Sequence, residues 1–151
     1  MRARILAPIA LLGFVTTSLT GCSTIQGILE GPVLQDFEVG QCLDTDGVVS
    51  GDATQTGTIP VVDCTEAHDA EVYYVSETTD TEFDEDALYD EVKQACDDEF
   101  EDYVGVAYVD SSIYISTMFP TQDSWDVDDR QLVCLLTVDE DVTQSFAGSG
   151  L

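Results

Sequence analysis

Apolar and polar positions follow three rhythms along this chain. Ile5 to Val15, ILAPIALLGFV, is one unbroken apolar run near the start. From residue 37 onward, short apolar runs are separated by polar stretches rich in Gly, Thr and Asp. Residues 37–43, FEVGQCL, predict a short strand interrupted by Gly40. Residues 44–58, DTDGVVSGDATQTGT, have the composition of a loop or wide hairpin. IPVVDC at 59–64 predicts a second strand, and AEVYYVSE at 70–77 a third, with many β-branched and aromatic residues. Polar residues 78–82 then connect to a different rhythm. Leu88, Val92, Cys96, Phe100 and Tyr103 or Val104 recur every three to four residues, with Ala95 widening the stripe. That spacing predicts a helix over about Asp84 to Val104. Asp84 suits the N-cap, Glu85 and Asp86 suit the first turn, and Gly105 suits the stop. SIYISTMF at 112–119 predicts a fourth strand ended by Pro120, and RQLVCLLTV at 130–138 a fifth, the most apolar and so expected to be central. Past Asp141 the chain turns polar, and 142–151 read as a flexible tail. The order implies a small α+β domain over 37–141: about five strands in an antiparallel or mixed sheet, with one main helix packed on a face.

The apolar run belongs to a front segment of another kind. Met1-Arg2-Ala3-Arg4 is basic, the run behind it is too short to span a bilayer, and small residues follow. Residues 1–21 therefore read as a signal peptide. Leu19-Thr20-Gly21-Cys22 resembles the lipobox of bacterial lipoproteins. That resemblance implies cleavage before Cys22 and a diacylglyceryl thioether on its sulfur, with palmitate-type acyl chains on the mature protein. Two acyl chains hold a protein on a membrane stably where one does not. Residues 22–36 become a lipidated tether, whose last fourteen residues reach at most about 50 Å when extended.

Charge narrows the range of partners. The chain has 31 Asp and Glu against 4 Lys and Arg, a formal net charge of -27. Loss of Arg2 and Arg4 with the signal peptide would leave only Lys93 and Arg130 as bases. Nucleic acid is excluded as a partner because nothing would neutralise its phosphates. Docking on anionic lipid through a basic cluster is excluded on the same ground. A hydrophobic content of 44% and clear apolar runs set the chain apart from acidic disordered sequences. The acidity reads as a solvated surface, or as adaptation to a salty medium that screens self-repulsion.

Cysteine count then changes the picture. Five cysteines are an odd number. With Cys22 assigned to lipid, Cys42, Cys64, Cys96 and Cys134 remain in an exported protein, which fits two disulfides. Three pairings are open. The favoured one joins Cys42 to Cys64 across the Gly/Thr loop, and Cys96 on the helix stripe to Cys134 on the fifth strand.

Several blocks, in order, resemble the septum formation domain family of actinobacterial membrane proteins and lipoproteins. The first is Val39-Gly40-x-Cys42-x-Asp44. The second is Val61-Val62-Asp63-Cys64-x-x-x-His68-Asp69-Ala70-Glu71-Val72-Tyr73. Cys96 and Tyr103-Val104-Gly105 follow, then Pro120-Thr121-x-x-x-Trp125-x-x-x-Asp129-Arg130-x-x-x-Cys134. Two positions depart from the family's habit: Ala67 stands where Pro is frequent before the His, and Asp128 where Gly is frequent before Asp-Arg. The resemblance implies an extracytoplasmic domain linked to septum formation and the cell envelope, with His68, Asp69, Trp125, Asp129 and Arg130 as its marked residues. It carries over no catalytic residue.

Candidate chemistry is sparse. His68 is the single histidine, and Cys64-x₃-His68 is at most half of a metal site, without a thiolate if Cys64 is oxidised, so His68 is expected to be a structural histidine beside a disulfide and Asp69. There is no Gly-x-Ser-x-Gly elbow. Asp97, Asp98, Glu99, Glu101 and Asp102 crowd the helix end, and Asp44-x-Asp46-Gly47 matches only part of a calcium loop. Trp125 is expected to pack over the sheet end and Arg130 to pair with a nearby Asp. The expectation is a non-enzymatic, lipid-anchored module on the outer face of the cell membrane, with no cofactor and no metal ligand assigned. Its partner would be an envelope or division protein, or the cell wall. A solute-binding lipoprotein, weakly holding divalent cations, is the alternative, and an envelope hydrolase stands behind that.

Overall fold

A computed structural model describes residues 34–45 and 58–151. The signal segment, Cys22, most of the tether, Asp46 and the rest of the Gly/Thr loop lie outside the described residues. The described residues belong to one compact unit. The strands are β1 (Cys42–Leu43), β2 (Val61–Val62), β3 (His68–Glu77), β4 (Tyr114–Met118) and β5 (Gln131–Val142). They form one antiparallel sheet in the order β2-β1-β3-β5-β4. The helices are α1 (Glu85–Val104) and the short α2 (Gln122–Trp125), with a 3₁₀ turn at Tyr108–Asp110. The expected α+β class, with one main helix on a sheet face, is what the chain forms. β5 is interior as expected, though the middle of the order is β3.

α1 forms where its apolar period places it. The Asp84 side chain accepts from the Ala87 N–H at 3.1 Å, and Gly105 adopts φ 92, a left-handed conformation that glycine takes without a Cβ penalty. Leu88, Val92, Cys96, Phe100 and Val104 are all fully buried, against Tyr73, Leu132, Cys134 and Leu136 of the sheet. Each such side chain contributes about 1.5–3 kcal/mol by leaving water. The Cys96–Cys134 disulfide crosses this interface, and the Tyr73 hydroxyl donates to the Cys96 carbonyl at 2.8 Å.

The other sheet face holds a second apolar layer: Phe37, Leu43, Ile59, Ala70, Val72, Val133 and Leu135. The incoming chain lies over it and is fastened by two reciprocal amide pairs. Gln35 donates to the Ile59 carbonyl at 2.9 Å and accepts from the Ile59 N–H at 2.7 Å. Gln131 accepts from the Phe37 N–H at 3.0 Å and donates to the Phe37 carbonyl at 3.1 Å. The stem of the expected tether, residues 34–36, is thus part of the domain. Gly40, at φ 90, bends the chain just before β1, so the strand expected over 37–43 shortens to two residues. The Cys42–Cys64 disulfide then joins β1 to the turn after β2.

The flexible tail expected over 142–151 is corrected. β5 runs to Val142, Phe146 is fully buried, and the last residues meet the end of α1. Gly148 N–H donates to the Tyr103 carbonyl at 2.8 Å and Gly150 N–H to the Val104 carbonyl at 2.9 Å. The physical reason is the helix terminus: its last carbonyls lack intrahelical donors, and α1 has no basic residue in its last turn to offset the acids there. Ser111 Oγ also donates to the Leu151 carbonyl at 2.5 Å. A polar composition concealed a docked segment.

Candidate functional site

The marked residues gather in two places. The first is the start of β3, where His68, Asp69 and Glu71 leave the strand in different directions. Between His68 and Ala70 the β3–β5 register shifts, from Val142 to Thr137. Ala70 and Val72 face the second apolar layer, while His68 lies against Phe146, ring centroids 6.1 Å apart, close to Glu71. Such irregularities re-aim side chains locally.

Glu71 is fully buried. Its Oε1 accepts from the Tyr103 hydroxyl at 2.6 Å and from Ser145 Oγ at 2.7 Å. Its Oε2 accepts from the Phe146 N–H at 2.6 Å. Three donors on one carboxyl meet the requirement that a buried polar group be hydrogen-bonded. No cationic side chain pairs with it among the described residues. Burial first, and the bond to Glu71 second, push the Tyr103 phenol well above its ordinary range. Glu71 therefore ties together β3, α1 and the C-terminal segment.

His68 is 1% exposed. Its Nδ1 lies 2.8 Å from the Glu66 carbonyl oxygen. A carbonyl only accepts, so Nδ1 carries a proton, and in the neutral ring that leaves Nε2 as the nitrogen with the lone pair. Nε2 is buried and has no hydrogen-bond partner. Cys42 Sγ, a His68 ring nitrogen and a Glu71 carboxylate oxygen all lie within 4.8 Å of one another. Asp69 turns to the other neighbour: its two oxygens accept from Thr45 N–H at 2.7 Å and Thr45 Oγ1 at 2.5 Å. That fastens the point where the Gly/Thr loop leaves β1.

The second place is the turn between α2 and β5. Thr121 and Ser124 form a reciprocal capping box. Trp125 is 7% exposed in the helix-side core, edge-on to Phe83 at 5.8 Å. The Arg130 guanidinium stacks over the indole, 3.5 Å from its centroid, and Nη1 donates to the Trp125 and Asp129 carbonyls at 3.0 and 2.6 Å. The expected Arg130–Asp ion pair is therefore corrected: the planar fork is occupied by the ring and two carbonyls. Asp129 Oδ1 instead accepts from the Gln131 N–H at 3.1 Å. Among the described residues the ion pair is Lys93–Asp97, at 2.6 Å.

The two places are separate structural nodes. His68 and Asp69 act at β3; Trp125, Asp129 and Arg130 act at the head of β5. His68 lies beside the Cys42–Cys64 disulfide, and the sulfur grouped with its ring is that of Cys42 and not of Cys64. Glu71 and Tyr103 stand in the resemblance blocks without a role assigned to them, and Thr45 and Ser145 carry no sequence signal of their own. Glu71 did carry a signal, as a charged residue inside a run of β-branched and aromatic positions. The model of the family described as Septum formation matches residues 33–134, a span that holds His68, Asp69, Glu71, Trp125, Asp129 and Arg130 and ends before Ser145 and Phe146. Comparison with curated proteins and with solved structures finds no match.

Proposed function

Because the chain belongs to the septum formation family, its role is septum-related, and we propose that it serves there as a lipid-anchored interaction module on the outer face of the cell membrane. The observation that carries this reading is where the family-marked side chains go. Asp69, Trp125, Asp129 and Arg130 fasten the loop exit and the head of β5, and His68 is buried. Residues that hold a surface in shape suit a display scaffold. Two internal disulfides accord with an exported domain. Among the described residues no helix is long and apolar enough to cross a membrane. Attachment in this reading comes from acyl chains on Cys22, and the partner is an envelope or division protein, or the wall itself.

Two measurements test it. A functional tagged copy is expected to concentrate at division sites, with crosslinked neighbours drawn from the division machinery. Even spread over the envelope together with normal septa on deletion would refute the septal role. Mass analysis of the mature N-terminus is expected to find diacylglyceryl on Cys22. An unmodified Cys22 would refute the anchor and leave the septal role standing.

A further inference from the structure

The cluster of Cys42, His68 and Glu71 is built in a way that its structural duties do not explain. A buried imidazole nitrogen without a partner is a cost that folded proteins generally avoid. Here it belongs to an imidazole that has a ring nitrogen within 4.8 Å of a carboxylate oxygen and a sulfur. The His68 ring is held by its Nδ1–H on the Glu66 carbonyl, which is the way metal-ligating histidines are oriented. Glu71 is likewise held from behind by Tyr103, Ser145 and the Phe146 N–H. Oε2 accepts one of these bonds and Oε1 the other two, so Oε2 keeps an acceptor position. The sulfur alone is not ready, because it is bonded to Cys64.

We infer that the reduced protein binds one divalent transition metal of the zinc class through Cys42 Sγ, His68 Nε2 and Glu71, and that the Cys42–Cys64 bridge is the latch on this site. A thiolate, an imidazole and a carboxylate form a mixed donor set that suits zinc, with a fourth position for water. Calcium and magnesium prefer oxygen throughout. The inference stands independently of the septal reading.

The latch has an outer and an inner sulfur. Cys64 is half-buried, whereas Cys42 is fully buried. A dithiol reductant, attacking as its thiolate, bonds to Cys64 Sγ. The S–S bond breaks and its electron pair leaves on Cys42 Sγ. The second sulfur of the dithiol resolves the mixed disulfide, giving a cyclic disulfide and the Cys64 thiol. Two electrons pass to the bridge; one dithiol proton ends on Cys64 and the other goes to Cys42, or to solvent when the metal takes the thiolate. Without metal, a thiolate released beside Glu71 in a buried site is disfavoured, and the bridge holds. With a cation on His68 and Glu71, the leaving sulfur meets positive charge. Metal and reductant thus promote each other. Both sulfurs of Cys96–Cys134 belong to fully buried residues, which screens that bridge from the same attack.

The test uses the full chain with Cys22→Ser and Cys64→Ser, which leaves Cys42 as the free thiol while Cys96–Cys134 stays closed. Co²⁺ alone is titrated in excess Mg²⁺, which occupies surface carboxylates. One Co²⁺ per chain is expected, with a thiolate-to-cobalt charge-transfer band, and adding His68→Gln should weaken binding at least tenfold. A folded Cys64→Ser chain with no such band, or binding indifferent to His68→Gln, overturns the inference. If Cys64→Ser does not fold, the wild-type chain decides. It is treated with a water-soluble phosphine with and without Zn²⁺, then alkylated and mapped by mass. Zn²⁺ is expected to raise the opened fraction of Cys42–Cys64 severalfold and to leave Cys96–Cys134 closed. Equal opening in both conditions overturns it.

Discussion

Asp128 shows how one side chain can conflict with its backbone. It holds φ 71, the single positive φ at a non-glycine position among the described residues. A left-handed φ costs an L-residue about 1–2 kcal/mol, less for Asp. The same position is where the sequence departs from the glycine frequent in the family, so the departure has a cost that backbone geometry explains. Asp128→Gly is expected to raise stability by about 0.5 kcal/mol, part of the relief being offset by a freer unfolded chain. Urea unfolding should show a higher midpoint at unchanged slope. The tyrosines give a second prediction. Burial foremost, then the charges of Asp97, Tyr108 and Glu99, push the Tyr73 phenol above its ordinary range, and Tyr103 is raised as well. A raised folded value means stability that is whole below the unfolded phenol value of about 10 and lost as pH climbs toward the folded one. Tm should hold to about pH 9.5 and fall beyond it. Absorbance titration of the folded chain should show Tyr73 and Tyr103 ionising last. Legibility at this scale was uneven. Asp84 and Gly105 were readable because caps act locally. Glu71 was not, since its donors are contributed by α1 and residues 145–146, far along the chain.

Among the elements, those with a long periodic signal were the ones the pattern located. α1 repeats its apolar stripe over twenty residues, and its observed bounds match the expected ones to within a residue. β1 and β2 are two residues each, too short for alternation to register. The C-terminal segment was misread because its attachment is made by backbone N–H groups and by one aromatic side chain, neither of which composition reveals. Phe146 is that side chain. It is fully buried, stands against His68, and donates its N–H to Glu71. Phe146→Ala is expected to cost about 3 kcal/mol, far more than truncating a residue in a free tail. A urea midpoint close to that of the parent chain would contradict the docking.

On the scale of the whole molecule, self-repulsion sets the conditions for stability. A formal charge of -27 on a chain of this size opposes compaction. Raising NaCl from about 0.01 M to about 1 M shortens the screening length from about 30 Å to about 3 Å. Tm is expected to rise by several degrees, roughly the 4–8 °C that accompany 1 kcal/mol in a domain of this size. CaCl₂ at matched ionic strength should give the same rise; a larger one would assign the acidic surface a specific cation. The two disulfides have a bearing of another kind once the chain is considered under load. Tension transmitted through a membrane tether would reach the domain at residues 34–37, where Gln131 and Ile59 grip it, and pass into Cys42. From there the covalent bridge carries the pull straight to Cys64. The intervening span, with a sequence separation of 22, takes no strain. The second bridge shunts a separation of 38 in the same way. At about 3.5 Å per residue these loops hide about 75 Å and about 130 Å of contour. Force spectroscopy should therefore find a shortened extension in the oxidised domain, lengthening by about 75 Å when the outer bridge opens. A redox event at one sulfur pair would then be read outside the domain as slack in its leash.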